Sequence, residues 1–401
     1  MNTTTLQEPS PVRIYPMQFW LVCLSTLFLF CSFTMLIAEL PAYLTQLGGA
    51  DYKGLIIALF TLTAGLSRPF SGKLADTIGR IPVIMFGTLT AFVCSLLYPI
   101  LTTVAGFLWL RLLHGFTTGF APTGHTSYVA DIIPADRRGE AMGYLGFANN
   151  IGAALAPSLG SWLAQNYGWE VMFHTAAAMA MLSAIVLLFI RESLAEPQPF
   201  SWKILYIKRT EIYEPTVLTP SILMVLSVFS MGTALSLVPD YSTHLGISNK
   251  GLFFMVYTFS SLLIRIFAGR ASDEYGRFYV IRYGLLMLVI AMLALTFSYN
   301  KIMFFVAAIL LGLSLGTIAP TIFAWTIDLA PRPFIGRALA TLYIALEIGI
   351  GTGSLISSWI YANQTDRFIY AFGFSALLAL SAWLYSIYLK RFGKKLDNLR
   401  C

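Results

Sequence analysis

Apolar runs of about 20 residues recur along the whole chain, and this recurrence decides what it can fold into. A helix needs about 20 residues to cross the hydrocarbon layer of a bilayer, whereas an open sheet would leave unpaired backbone groups there. Runs of this kind lie near 19–44, 54–73, 81–101, 105–132, 139–164 and 171–190, and again near 220–243, 251–270, 281–299, 303–329, 335–361 and 368–390. Charged residues make up only 11% of the chain, against roughly 25% in soluble domains. That is too little to coat a water-soluble fold of 401 residues. An all-α integral membrane protein of twelve spans is expected, which excludes a cytosolic enzyme, a secreted domain and a disordered chain.

The net charge of +7 does not point to nucleic acid, because the basic residues are scattered between apolar blocks rather than gathered on one solvated face. Cys23, Cys31, Cys94 and Cys401 have no metal-ligand spacing and read as small apolar fillers. No metal site or cofactor is implied. The polar N-terminus lacks the charged start and cleavage site of a signal peptide, so the first apolar run is expected to be retained.

Lys and Arg concentrate in cytoplasmic loops. With the N-terminus inside, 21 of the 26 fall on the cytoplasmic side, Arg13, Arg68, Arg80, Lys208, Arg209, Arg265, Arg277, Arg332 and Arg337 among them. Lys53, Arg111, Lys250, Lys301 and Arg367 are left over. Both termini are therefore expected in the cytoplasm, on a multi-pass protein of the cell (inner) membrane. The domain reading is a tail at 1–18, a six-helix bundle at 19–190, a cytoplasmic linker at 191–219, a second bundle at 220–390 and a tail at 391–401. The linker carries Pro197, Pro199 and Pro215, and an amphipathic stretch from Phe200 to Tyr206 suited to a membrane surface.

The chain repeats itself. Lys53 to Arg80 aligns without a gap on Lys250 to Arg277, a shift of 197 residues that also carries Gly115 to Gly312, Asp131 to Asp328 and Trp162 to Trp359. Two similar bundles can rock about a midplane site with little preference for either face, so the repeat favours a transporter over a channel or receptor. GKLADTIGR at 72–80 resembles the signature loop of the major facilitator superfamily, and GRASDEYGR at 269–277 resembles its second copy. The resemblance covers essentially the whole chain. It implies two pseudo-symmetric six-helix bundles, a central cavity and secondary transport without ATP hydrolysis.

In the loop, Gly72 and Gly79 permit close approach and a tight turn, and Asp76 suits the positive N-terminus of a helix. The resemblance implies that Asp76 latches onto the start of span 11 near Gly336 while the outer face is open, and that Arg80 pairs with Asp131. In the second copy, Gly269, Asp273, Arg277 and Asp328 would do the same, with Asp273 meeting the start of span 5 near Gly139. Interfacial charges that only set topology are the alternative.

Span 4 reads WLRLLHGFTTGFAPTGHTSYVAD, and a rotation of about 100° per residue groups Arg111, His114, Thr118, Pro122 and His125 on one side. An arginine in an apolar run is costly unless it faces a cavity or a partner. RLLHG is similar to the family's span-4 motif, which links this arginine to proton transfer. His114 and His125 read either as titrating groups or as helix-packing hydrogen bonds. In span 5, Gly152, Ala156, Pro157 and Gly160 resemble the motif of proton-driven antiporters, with Ala156 in place of its usual glycine. The matching stretch of span 11 lacks the proline, an asymmetry that favours export.

Buried carboxylates are natural proton carriers. Glu347 near the middle of span 11 and Glu39 in the outer third of span 1 are the candidates, each also readable as a hydrogen-bonded structural acid. Asp240 reads as a solvated helix-end residue, and Asn149 as a cavity candidate that cannot face the same way as Asn150. The leading expectation is a monomeric, proton-coupled exporter of a small lipophilic or amphipathic compound, similar to the drug and sugar efflux branch. Its partners would be that small molecule, protons and the lipid bilayer. Proton-linked uptake of a sugar or other metabolite is one alternative, and a transporter-like sensor or lipid-handling protein is another. No catalytic motif appears, so an enzyme is not expected.

Overall fold

The computed structural model describes residues 15–134, 137–206, 213–331 and 334–392. Arg13, Lys208, Arg209, Arg332, Cys401, most of the N-terminal tail and the C-terminal tail from 393 lie outside the described residues. The first half is built from α1 (Met17–Ile37), α2 (Leu40–Gln46), α3 (Lys53–Ile78), α4 (Arg80–Leu97), α5 (Val104–His114), α6 (Phe116–Ile132), α7 (Arg138–Tyr167) and α8 (Trp169–Leu187). The second contains α9 (Leu218–His244), α10 (Leu252–Tyr275), α11 (Arg277–Thr296), α12 (Lys301–Leu329), α13 (Ile335–Tyr361) and α14 (Phe368–Phe392).

Ten of the described helices are long and apolar enough to span a bilayer. The other two crossings depart from a plain apolar run. The stretch 105–132 is carried by α5 and α6, which join at Gly115 with helical torsions, and Arg111 and His114 dilute its apolar character. α7 runs for 30 residues, but its Asn149–Asn150 pair and glycines dilute its hydropathy. The first run breaks: α1 stops at Ile37 and α2 restarts after Glu39, because Pro41 in the first turn has no N–H to continue the α1 ladder.

Each half keeps its own apolar core, one around Leu237, Leu288, Leu311 and Phe372 and others around Phe19, Tyr128, Met35 and Phe173. The cores meet across the seam, where Ala38 at the α1–α2 elbow is buried in the core of the second half and Leu235 and Ile350 pack on that of the first. Across the seam, α3 packs on α13 and α7 on α10. Gly152 and Gly160 lie flush on the α1 backbone at Leu27 and Met35, where any side chain would collide. The helix ends carrying Arg80, Arg137, Arg277 and Arg337 form the basic end of the bundle, and Glu39, Lys53, Asp240 and Lys250 lie at the far end.

The linker is fastened to both halves. The Glu192 carboxylate accepts the backbone N–H groups of Arg80, Ile81 and Ser193 at 2.9 Å and of Leu194 at 3.0 Å, capping the start of α4. Gly79 has φ 121°, and a Cβ there would run into that carboxylate. Of the amphipathic stretch, Ile204 and Leu205 pack on Leu74, Ala75, Val83 and Phe120, while Phe200, Trp202 and Tyr206 stay exposed. At the other end Glu214 accepts from Arg337 Nε at 2.9 Å, at the start of α13.

Candidate functional site

At the basic end the halves part around a cavity of about 580 Å³, walled by α3, α6 and α13. Pro69, Pro122, Leu339 and Ala340 give it apolar walls, and Lys73, Asp76 and Arg337 ring its mouth. Arg68 lines it from α3 and reaches across the seam: its Nη2 lies 3.4 Å from Glu347 Oε1 on α13. Its guanidinium also stacks on the Tyr343 ring at 4.3 Å and approaches Thr123 Oγ1 at 3.5 Å. Both side chains of the pair are less than a tenth exposed, and the Arg68 Nε–H has no partner. The contacts of this arginine are long and incomplete, so the pair leaves donor and acceptor capacity for a bound molecule. Glu347 therefore meets span 2 through a charge, not by packing alone.

Arg68 was placed by its sequence among topology-setting helix-end charges, and the structure instead puts it inside α3. The available signal was an arginine within an apolar run that recurs, at the same shift, as Arg265.

In the loop after α3, Arg80 Nε donates to Asp131 Oδ2 at 3.0 Å and Arg80 Nη1 to Asp76 Oδ1 at 2.8 Å. Arg277 Nε contacts Asp328 Oδ2 at 3.0 Å and also bonds Asp273. Asp76 and Asp273 are about 70% exposed and reach no helix start across the seam. Gly72, Gly139, Gly269 and Gly336 have open space where a Cβ would stand. The basic end is open, and the expected latch contacts are unmade in this conformation.

The far end is shut. Lys250 Nζ bonds Glu39 Oε2 at 2.8 Å, and Lys53 Nζ bonds Asp240 Oδ2 at 2.5 Å, each across the seam. Asn249 Nδ2 donates to the Ser158 carbonyl at 3.0 Å, Ser354 Oγ to the Gly54 carbonyl at 3.0 Å, and Gly251 lies on the Pro157 backbone. The antiporter-like stretch of α7 is thus part of this closure. Asp240 departs from its sequence reading: it is not a solvated helix end but an ion-pair member only 16% exposed.

Span 4 does not present one functional face. Arg111 is fully enclosed in the first half, with Nε on the Ile56 carbonyl at 2.8 Å, Nη1 on the Tyr98 hydroxyl at 3.3 Å and its guanidinium over Phe60. His114 Nδ1 faces the same Tyr98 hydroxyl at 3.2 Å. His125 lies elsewhere, against Ser25 at 3.3 Å, and Thr118 bonds the Gly115 carbonyl. Of the expected row only Pro122 reaches the cavity. Gly115 keeps helical torsions (φ −59°, ψ −27°), and the row splits because its members meet different neighbours, Arg111 and His114 reaching α3 and α4 and His125 reaching α1. Asn150 bonds the Gly146 carbonyl, and neither it nor Asn149 lines the cavity. Among the described residues no cluster of metal-binding side chains occurs.

A duplicated helical bundle with a polar-tipped cavity between its halves is the architecture of a secondary transporter, and the chain belongs to the Major Facilitator Superfamily, whose model matches residues 22–248 and 221–398. It is 27% identical over 354 residues to a protein named multi-drug resistance efflux pump PmrA homolog of Lactococcus lactis, covering 85% of this chain and 86% of that one. It is 26% identical over 368 residues to multidrug resistance protein MdtG of Escherichia coli, covering 88% of each. Among solved structures, the D-xylose-proton symporter matches with a TM-score of 0.77 at 16% identity, over 93% of this chain and 97% of that one. The human organic anion transporter MFSD10 matches with a TM-score of 0.70 at 18% identity, over 94% of this chain and all of that one. These two likenesses concern the fold.

Proposed function

We propose that the protein is a proton-coupled exporter of small lipophilic or amphipathic compounds, working as a monomer by alternating access between the bodies 19–190 and 220–390. The observation that carries the reading is the cavity open only at the basic end, with the Arg68–Glu347 pair across its blind end. The Lys and Arg skew assigns the basic end and both termini to the cytoplasm of a cell-membrane protein, so the open cavity faces the compartment from which an exporter loads. Apolar walls accept the body of the compound, and the under-used Arg68–Glu347 dipole accepts its polar group. The names of the two curated relatives favour the same direction of transport. Glu347 and Glu39 are the proton-coupling carboxylates, because each must leave its cross-half partner when the halves rock. Asp76 with Arg80 and Asp131, and Asp273 with Arg277 and Asp328, latch the basic end in the opposite state.

The test is dye or drug accumulation in inverted vesicles energised by an acid interior. Wild-type protein accumulates substrate in proportion to the imposed pH difference. Glu347→Gln removes a charge-assisted contact of about 1.5–3 kcal/mol, so coupled flux falls about 10- to 100-fold. Flux that ignores the pH gradient, or that survives Glu347→Gln and Arg68→Ala unchanged, would refute the reading.

A further inference from the structure

The two lysines that close the far end are copies of one another: Lys53 precedes Gly54 and Lys250 precedes Gly251 at the repeat shift of 197 residues. Their acids are not copies. Asp240 lies within α9 and Glu39 at the α1–α2 elbow, and they differ in environment. Asp240 is 16% exposed, whereas Glu39 is 3% exposed. Ser161 on α7 makes Glu39 a built site: its hydroxyl donates to Glu39 Oε1 at 2.6 Å and accepts from the Lys250 backbone N–H at 3.1 Å and from Gln165 Nε2 at 3.2 Å.

Lys250 is the cation on Glu39, and it comes from the other half of the protein. From α7 the uncharged Ser161 faces the carboxylate, and the uncharged Gln165 stands behind it on the Ser161 hydroxyl. From α3 and α9 the charged groups at this end are Lys53 and Asp240, which occupy each other, with Tyr361 beside Asp240. When the halves part at the far end, Lys250 leaves with its half and Ser161 stays with Glu39. Without Lys250 the carboxylate loses the cation that compensates its charge, and a proton taken from the far-side water restores neutrality.

We propose that Glu39 is a proton-binding site filled from the far side, and that Lys250 and the proton replace one another on it. The step balances simply: the Glu39 carboxylate takes one proton from the far-side water, and the Lys250 ammonium keeps its own protons and moves into that water. In reverse, Lys250 returns and the carboxyl gives its proton back to solvent. Far-end opening is thereby tied to uptake of one proton. This rests on the proton-coupled reading above and names, within it, the group that loads on the far side.

The experiment reads conformation in the absence of any drug. Spin labels at Thr102→Cys and Tyr299→Cys, in full-length protein freed of native cysteines, report the far-end separation between halves in nanodiscs. On going from about pH 8 to about pH 5 the open-to-closed ratio rises, by up to about tenfold per pH unit, the limit for one exchanged proton. Glu39→Gln keeps the Ser161 contact but cannot bind the proton, and Lys250→Gln leaves no cation to exchange. Both favour the open separation and lose the pH response. Lys53→Gln favours the open separation at every pH and keeps the response, which separates a loosened seam from a lost proton site. A wild-type ratio that does not move with pH, or a Glu39→Gln protein that keeps the wild-type slope, overturns the proposal. Absent efflux activity would count against the exporter reading alone.

Discussion

Gly251→Ala adds a single methyl group where α10 begins on α7. The backbone at Gly251 has φ −72°, so alanine meets no conformational objection there. The objection is steric: the new Cβ would fall inside the contact radius of the Pro157 carbonyl and the Ser158 nitrogen, which are backbone atoms and cannot rotate away. Restoring ordinary contact requires α10 to withdraw by about an ångström, and overpacking of this kind costs about 1–3 kcal/mol. The loss of chain entropy that alanine relieves in the unfolded state cancels, because both conformers are folded. The closed far end should therefore lose about 5- to 150-fold in population relative to the open one. The same pair of spin labels reads it directly. Gly336→Ala supplies the opposite sign: it has open space in this conformation, and it sits where the Asp76 latch would close. It should be silent for the basic-end-open state and penalise the other. A Gly251→Ala protein whose distance distribution matches wild type, or two variants that shift it the same way, would refute the rocking seam.

Gly79→Ala should lower thermal stability by about 1–3 kcal/mol, the cost of a left-handed backbone at a non-glycine residue, plus the collision with Glu192. Gly168→Ala, with φ 90° but no neighbour within 4 Å, isolates the backbone part in the same melting assay. The Arg337 guanidinium, through its hydrogen bond, holds the Glu214 carboxyl below the usual carboxylate range. Its stabilising contribution is complete above the ordinary glutamate range and lost as pH falls through the depressed value. Melting temperatures taken across acid pH should fall less steeply in Glu214→Gln than in wild type; equal slopes would show that the pair contributes nothing to acid sensitivity.

Fold class and duplication were legible because bilayer thickness and backbone hydrogen bonding leave so few solutions. The resemblance of 72–80 to the family's signature loop also marked Asp76, Arg80 and Asp131, which meet in one local corner. Sequence pattern failed where a contact depends on the seam. Nothing near Arg68 in sequence identifies Glu347 as its partner, because the two are 279 residues apart. Helical rotation grouped Arg111 with His125 but could not tell which neighbours each would meet, α3 and α4 for the arginine and α1 for the histidine. Lys53 and Lys250 stood out as charges on the wrong side of a topology count, and their duplication was visible. Their acids were hidden, because Glu39 and Asp240 occupy positions that the repeat does not relate.

The elbow at Ala38 bears on how the molecule is assembled. A ribosome delivers the first six crossings well before the last six, and most of their core residues can seat among themselves. The elbow cannot, because its socket is made by residues not yet synthesised. The early portion of the chain thus waits in the membrane with one hinge unseated, and arrival of the later portion completes it. Damage to that socket should appear first as slow or faulty maturation of an otherwise intact amino-terminal bundle.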